Sequence, residues 1–386
     1  MTKTKLLIVA THPIQYQIPW FRELSKQESV ELIVLFGMMP NAEQQSTGFG
    51  QNFAWDIPLT DGYQWQQLDN KSDAPNLSGF SGIDCPTVYQ VIKDHNPDAI
   101  ILTGWHSKLL LQTLWAALRL NIKTIVRGDS NAIRPRRWYV RLLHAVFLRR
   151  FDAFLTVGKS NRLFFLNNGI NTNLLFSAPY FIENQRFIDG ALISRTDSKK
   201  TTLTEAHFCF LFAGKLVNTK NIQELLTAFK MTHEHNNKCQ LMIVGDGDLR
   251  PELEAFTQQH GLPVIFTGFV NQSVLPSTYS QGDCFVLSSD NEAWGLVVNE
   301  AMVCGLPAIV SNRVGACDDL IIEGQTGFMY PCGSPEALAQ KMIYMVENRG
   351  IAKKMGQKAQ QHILDNFGVK HTVQATLDAL TFLRQH

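Results

Sequence analysis

Charge is scarce in this 386-residue chain and evenly balanced: 35 Lys and Arg face 34 Asp and Glu, and charged residues make up 18%. A net of +1 excludes the whole-molecule basic footprint on which nucleic-acid binding rests. Long apolar runs are missing too. Nowhere do 18 apolar residues follow one another, so no membrane-spanning helix is expected. Lys3–Ala10 starts like a secretory leader, but Thr11-His12-Pro13 cuts it off before an apolar core or a small-residue cleavage site develops. It reads as a first strand, and the chain as cytoplasmic. Cysteine pairs at CxxC or zinc-like spacing are also lacking. Cys85, Cys209, Cys239, Cys284, Cys304, Cys317 and Cys332 read as reduced thiols serving as small core residues. The 11 histidines are scattered, and His233-Glu-His235 reads as the solvated end of a helix rather than a ligand pair. No metal site is expected.

What is present is hydrophobic: 45% of the residues, which excludes disorder and requires a large core. The length suits two domains. Short β-branched and aromatic runs alternate with helical patterns, the signature of βαβ units and parallel sheets. Expected strands in the first half are Lys5–Ala10, Glu31–Phe36, Ala99–Thr103, Lys123–Arg127, Ala153–Val157 and Leu174–Ser177, with a helix over Ser107–Leu120. Residues 49–84 lose the pattern, a stretch long enough to suggest function. Residues 188–205 read as a polar linker closing a first domain at 187. The pattern then restarts with strands Phe208–Ala213, Gln240–Val244, Pro263–Thr267, Cys284–Leu287, Ala308–Val310 and Phe328–Tyr330. Helices are expected over Ile222–His235, Leu249–His260, Leu296–Cys304 and Pro335–Glu347, then near 350–365 and 370–385. A second domain over 206–369 follows, and the last helix, 370–386, is free to return to the first.

The densest chemistry lies in Ser288-Ser-Asp-Asn-Glu292-Ala-Trp-Gly295-Leu296-Val297-Val-Asn-Glu300. A strand feeds a polar loop that opens a helix near Gly295, at the carboxyl end of a parallel sheet where α/β folds bind ligands. Backbone amides and the helix dipole favour an anion there, and glycine lets a phosphate approach the backbone. Glu292 lies before the helix and Glu300 about one and a half turns inside it. Both can accept hydrogen bonds from sugar hydroxyls. Gly214-Lys215-Leu-Val-Asn-Thr-Lys220 follows another strand, with two lysines able to neutralise phosphates as point charges. Val244-Gly-Asp-Gly-Asp248 lacks the rest of any phosphate fingerprint and reads as a tight turn with Asp248 as N-cap.

Together with Phe266-Thr-Gly-Phe-Val270 and Gly315-Ala-Cys-Asp-Asp, these motifs resemble the GT-B glycosyltransferases of the large retaining family 4, specifically over residues 207–345. The resemblance implies an α/β architecture of two Rossmann-like parallel-sheet domains facing a central cleft. It also implies transfer of a sugar from a nucleotide-sugar, a UDP-sugar first, to a saccharide or lipid-linked acceptor in cell-surface polysaccharide synthesis. Lys215 and Lys220 would hold the diphosphate beside Gly214, Glu300 the ribose hydroxyls and Glu292 the donor sugar. The backbone of Gly295, Leu296 and Val297 would cover phosphate and sugar, and Val270 would frame the base. No cofactor and no metal are implied. The first basic position is more often Arg in the family, and Lys215 replaces a bidentate fork by a single-point cation.

The first half matches less. Thr11-His12-Pro-Ile-Gln15-Tyr-Gln-Ile-Pro resembles a variant opening, with His12 and Gln15 at a strand end as donor or acceptor contacts. Where relatives carry a histidine, Val126-Arg127-Gly128-Asp129-Ser130 stands. Asp129 either contacts the donor sugar or caps a turn, and which of His12 and Asp129 takes the histidine's role stays open. The aromatics and acids of residues 49–63 suit a sugar acceptor or pack a loop. Arg134, Arg136, Arg137, Arg141, Arg149 and Arg150, six arginines without an acid between them, suit either an anionic membrane surface or a solvated helix face. The first would make the chain peripheral at the inner face of a membrane. Two rival readings are a nucleotide-sugar 2-epimerase and a non-catalytic sugar-nucleotide-binding subunit.

Overall fold

A computed structural model describes residues 3–46, 53–133, 136–196 and 207–385. Arg134 and the end of the expected linker lie outside them. The chain divides into two compact units, Met1–Gln45 with Ile57–Tyr180 and Val369–His386, and Ser46–Asp56 with Phe181–Gly368.

The first unit holds a parallel sheet of β1 (Thr4–Ala10), β2 (Val30–Phe36), β3 (Gln64–Gln67), β4 (Ala99–Leu102), β5 (Lys123–Val126), β6 (Ala153–Thr156) and β7 (Leu175–Ser177), in the order β3-β2-β1-β4-β5-β6-β7. The second holds β8 (Phe208–Ala213), β9 (Cys239–Val244), β10 (Val264–Gly268), β11 (Cys284–Leu287), β12 (Ala308–Ser311) and β13 (Gly327–Tyr330), in the order β10-β9-β8-β11-β12-β13. Central strands such as Phe208–Ala213 and Cys284–Leu287 are buried at every residue, because helices cover both sheet faces. That is why they read as unbroken apolar runs.

Each sheet has one point where strand order reverses: between β1 and β4, and between β8 and β11. Crossover loops diverge there and leave a crevice at the carboxyl ends of the strands. The helix expected from Ser107 starts at Lys108, with Ser107 as cap, its Oγ accepting from Leu110 N at 3.5 Å. The last helix, Val369–Gln385, counts with the first unit. Thr376 Oγ1 accepts from Trp20 Nε1 at 3.2 Å, and Thr372 Oγ1 donates to Pro179 O at 2.7 Å.

Three expectations need correction. Strand β3, Gln-Trp-Gln-Gln, is exposed throughout at a sheet edge and carries no hydrophobic alternation to announce it. The linker from 188 is helical as far as Thr196, in Asn184–Thr196. Phe187 and Ala191 are buried one turn apart, and Gly190 lies against Pro276, so one thin face anchors the helix while Leu192 and Ile193 stay exposed. The units therefore divide at Tyr180 and Phe181 rather than at 187.

Candidate functional site

In the second unit the loops leaving β8 and β11 meet at the reversal point. Ser288 Oγ donates to Lys220 O at 2.9 Å, and Asp290 N donates to Thr219 O at 3.1 Å. The Lys220 ammonium pairs with the Glu292 carboxylate, which Ser289 Oγ also approaches at 3.5 Å. Both partners are about four-fifths buried, with side-chain exposures of 19% and 21%. Burial and the neighbouring Lys220 charge push the Lys215 pKa down, so the two expected cations do share one neighbourhood. The turn after β9 closes on the same loop: Leu216 N donates to Asp246 O at 2.9 Å, and a Cβ on Gly245 would overlap the Gly214 carbonyl.

That turn is stabilised differently from the expectation. Asp248 is exposed and caps nothing, since helix Arg250–Gln259 starts after Leu249 with no side-chain cap. Asp246 does the work from two residues earlier, accepting from Gly247 N and from Arg250 Nη1, each at 2.8 Å.

Helix Leu296–Val303 opens at Gly295, whose φ of 99° and 2.9 Å clearance from Val314 Cγ1 at a built Cβ position exclude larger residues. Its first turn, Leu296 and Val297, lies at the carboxyl edge of the sheet. Glu300 is 8% exposed on a helix whose only other polar residue is Asn299, and Tyr279 Oη donates to its Oε2 at 2.8 Å. Burial raises its pKa to about 7, against the opposing pull of the Tyr279 hydroxyl and Arg186. Tyr279 and Arg186 were not anticipated; their only sequence signal is position, more than 20 and 100 residues from Glu300.

Val270 stands in the loop after β10, and residues from far upstream buttress it. Phe53 stacks on Phe269 at 3.9 Å, Asn271 Nδ2 donates to Ala54 O at 2.8 Å, and Asp56 accepts from Ser273 N and Oγ. Tyr63, from the same acceptor-like stretch, packs edge-on against Phe21 and Phe36. The aromatics that suggested an acceptor site are used for packing where they are described; Phe49 and Asn52 lie outside the described residues.

In the first unit a pocket lies at the carboxyl ends of β1, β4 and β5. Thr11, Ile14, Tyr16 and Gln17 line it after β1, Thr103–His106 after β4, Arg127–Ser130 after β5, and Tyr180 closes it. Asp129 is thus brought to a crevice, whereas His12 and Gln15 are not among the lining residues. His12 is half-buried with Nδ1 3.0 Å from Thr11 Oγ1, and burial together with His106 lowers its pKa to about 4. At neutral pH it is an uncharged imidazole and a poor general base. The Asp129 loop is held by Asn161, which donates to Gly128 O at 2.9 Å and Ser130 O at 2.6 Å and accepts from Val157 N at 3.0 Å.

The arginine run forms helix Trp138–Leu148 and its approach. Trp138 is 76% exposed and Leu143 67%, with Leu142 and Val146 also in solvent, and Arg137, Arg141, Arg149 and Arg150 exposed around them. Arg136 instead turns inward, stacking on Phe164 at 4.5 Å and donating to Asn131 O at 2.8 Å. Among the described residues no three His, Cys, Asp or Glu gather into a metal-binding group, and no helix is long and apolar enough to cross a membrane.

Comparison with known proteins completes the description. Residues 194–362 match the family model of glycosyl transferases group 1. A sulfoquinovosyl transferase of Arabidopsis thaliana is 33% identical over 144 residues, 36% of this chain and 28% of that protein. A Campylobacter jejuni alpha-1,4-N-acetyl-D-galactosaminyltransferase, named for an undecaprenol-diphosphate-linked saccharide, is 26% identical over 66% of this chain and 67% of its own. The chain thus spans well under half the length of the Arabidopsis relative. The Anabaena Alr3699/HepE structure with UDP and glucose covers 98% of this chain and 99% of its own, with a TM-score of 0.72 at 16% identity, a likeness of fold. Residues 194–362 thus resemble the glycosyl transferases group 1 through their family model, and the two parallel-sheet units have the GT-B fold.

Proposed function

We propose that the protein transfers a sugar, with retention of anomeric configuration, from a UDP-sugar to a saccharide or lipid-linked acceptor. The observation that carries this is the Lys220–Glu292 ion pair at the reversal point of the second sheet, beside Lys215 and the Gly295 helix start. A diphosphate entering there competes for the Lys220 ammonium. As the pair opens, the Glu292 carboxylate is released to accept hydrogen bonds from the donor sugar. Glu300 receives the ribose hydroxyls, and Val270 borders the base. The bond from the sugar's anomeric carbon to the diphosphate oxygen breaks with its electrons going to the diphosphate. The acceptor oxygen bonds to the same face of that carbon, and its proton passes to a phosphate oxygen. The protein contributes placement and fixed positive charge rather than a strong base. Lysines and helix amides supply the counter-charge, and no metal is required. A UDP-bound neighbour of the same fold and a relative named for a lipid-linked saccharide support donor and acceptor class.

The exposed apolar stripe Trp138, Leu142, Val146 with its arginines supports a docking helix for an anionic membrane surface, where a lipid-linked acceptor resides. Incubation with UDP-sugars, with the product anomer followed by NMR, tests the reading. Turnover unchanged by EDTA with retained configuration is expected; an inverted product, or loss of turnover on chelation, contradicts it.

A further inference from the structure

Arg127 is the least expected charge in the first unit. It is 4% exposed, and its Nε and Nη2 have no hydrogen-bond partner. Two half-buried arginines of the second unit are ion-paired, Arg186 with Glu183 and Arg250 with Asp246 and Glu254. No carboxylate pairs with Arg127 among the described residues; its guanidinium rests on the faces of Tyr180 at 4.6 Å and Trp20 at 5.1 Å. Burial works against its charge, Tyr180, Tyr16 and Asp129 favour it, and arginine keeps it. Removing such a charge from water without a hydrogen-bonded partner for Nε and Nη2 is expensive, and a fold retains it where something returns the loss.

The surroundings say what returns it. Arg127 lines the pocket at the reversal point of the first sheet, the place where α/β sheets take ligands. Gln17, 6% exposed, lines the same pocket, and its Oε1 lacks a donor. One pocket thus holds unsatisfied donors on a fixed cation, an unsatisfied acceptor, and the exposed Asp129 carboxylate, which also accepts. An oxyanion answers the first and hydroxyl groups answer the others.

We propose that this pocket binds a hydroxylated small-molecule anion, a sugar or polyol bearing a carboxylate or a phosphate, with Arg127 as its counter-charge and Gln17 and Asp129 accepting from its hydroxyls. Resting on the transferase reading, this makes the acceptor an acidic saccharide unit. Nothing in this step is covalent; Arg127 binds and orients.

Titration of the full chain with D-glucuronate, glucose 6-phosphate and glucose tests this, with UDP titrated in parallel. At least one of the two anions binds, and glucose binds about tenfold or more weakly. Binding of glucuronate alone names a carboxylate, of glucose 6-phosphate alone a phosphate. Arg127→Gln weakens the anion by about 10- to 100-fold and leaves UDP affinity unchanged, and Arg127→Lys recovers part of the loss. If Arg127→Gln does not fold, wild type decides: inorganic phosphate displaces the anion, and Gln17→Leu weakens it. Equal affinity for glucose, anion binding indifferent to Arg127→Gln, or no anion binding by protein that binds UDP overturns the proposal. Anion binding without UDP binding keeps this pocket and removes the donor reading instead.

Discussion

Glu300 places a carboxyl group on a helix whose other buried residues are Val298, Asn299, Ala301, Met302 and Val303. Its pKa rises from 4.5 to about 7 on folding, mainly through burial. The unfolded chain therefore releases this proton near pH 4.5 and the folded chain only near 7. The contribution is complete below pH 4.5 and is lost as the pH rises through 7, on the order of 3 kcal/mol in all. Glu300→Gln keeps the shape and an acceptor for Tyr279 without the charge. Thermal unfolding should find the variant more stable than wild type at pH 8, with the gap closing toward pH 4.5. Under the donor reading the same substitution should weaken nucleotide binding about tenfold or more, because the carboxylate assigned to the ribose is gone. A variant that is more stable and binds worse is the mark of a residue kept for its ligand. A variant that is less stable at pH 8 would make Glu300 part of the scaffold.

At the scale of elements, what was legible in the sequence depended on burial. All twelve expected strands stand within a residue or two of their expected bounds, and central ones such as Phe208–Ala213 and Cys284–Leu287, covered on both faces, are wholly apolar. β3 and the helix Asn184–Thr196 escaped notice because each has too little buried surface to set a period. The donor-site candidates were legible because they crowd into two short loops with distinctive spacing. The first-unit pocket was not: Gln17, His106, Arg127 and Tyr180 come from separate strand ends, and a lone arginine after a strand looks like any loop charge. Arg136 was placed with its exposed neighbours for the same reason, although Phe164 holds it inward. Helix Trp138–Leu148 buries only Leu148, leaving an apolar stripe and four exposed arginines facing solvent. Sedimentation with vesicles containing phosphatidylglycerol should carry the protein down, and neutral phosphatidylcholine vesicles should not. Leu143→Glu should abolish the effect and leave UDP binding intact. Equal binding to both vesicles, or binding unaffected by Leu143→Glu, would remove this helix from membrane docking.

Across the whole molecule the chain builds the same device twice, a parallel sheet whose strand order reverses once, with polar residues gathered at the reversal. The two crevices differ in charge logic. In the second unit cation and carboxylate are already paired, Lys220 on Glu292, so a ligand must exchange partners. In the first, among the described residues, the buried Arg127 has no hydrogen-bond partner for its Nε and Nη2. Each unit is assembled from non-contiguous stretches: Phe53–Asp56 supports the Val270 loop of the second, and Val369–Gln385 covers Trp20 of the first. The donor role of the second crevice is the claim on which the rest depends. Calorimetric titration of UDP into wild type, Lys220→Ala and Glu292→Gln tests it most directly. A donor site predicts binding by wild type, a loss of about tenfold or more in Lys220→Ala, and UDP affinity equal to or above wild type in Glu292→Gln, where the lysine no longer has to leave its partner. Folded wild-type protein that does not bind UDP, or that binds it equally well without Lys220, would contradict the assignment.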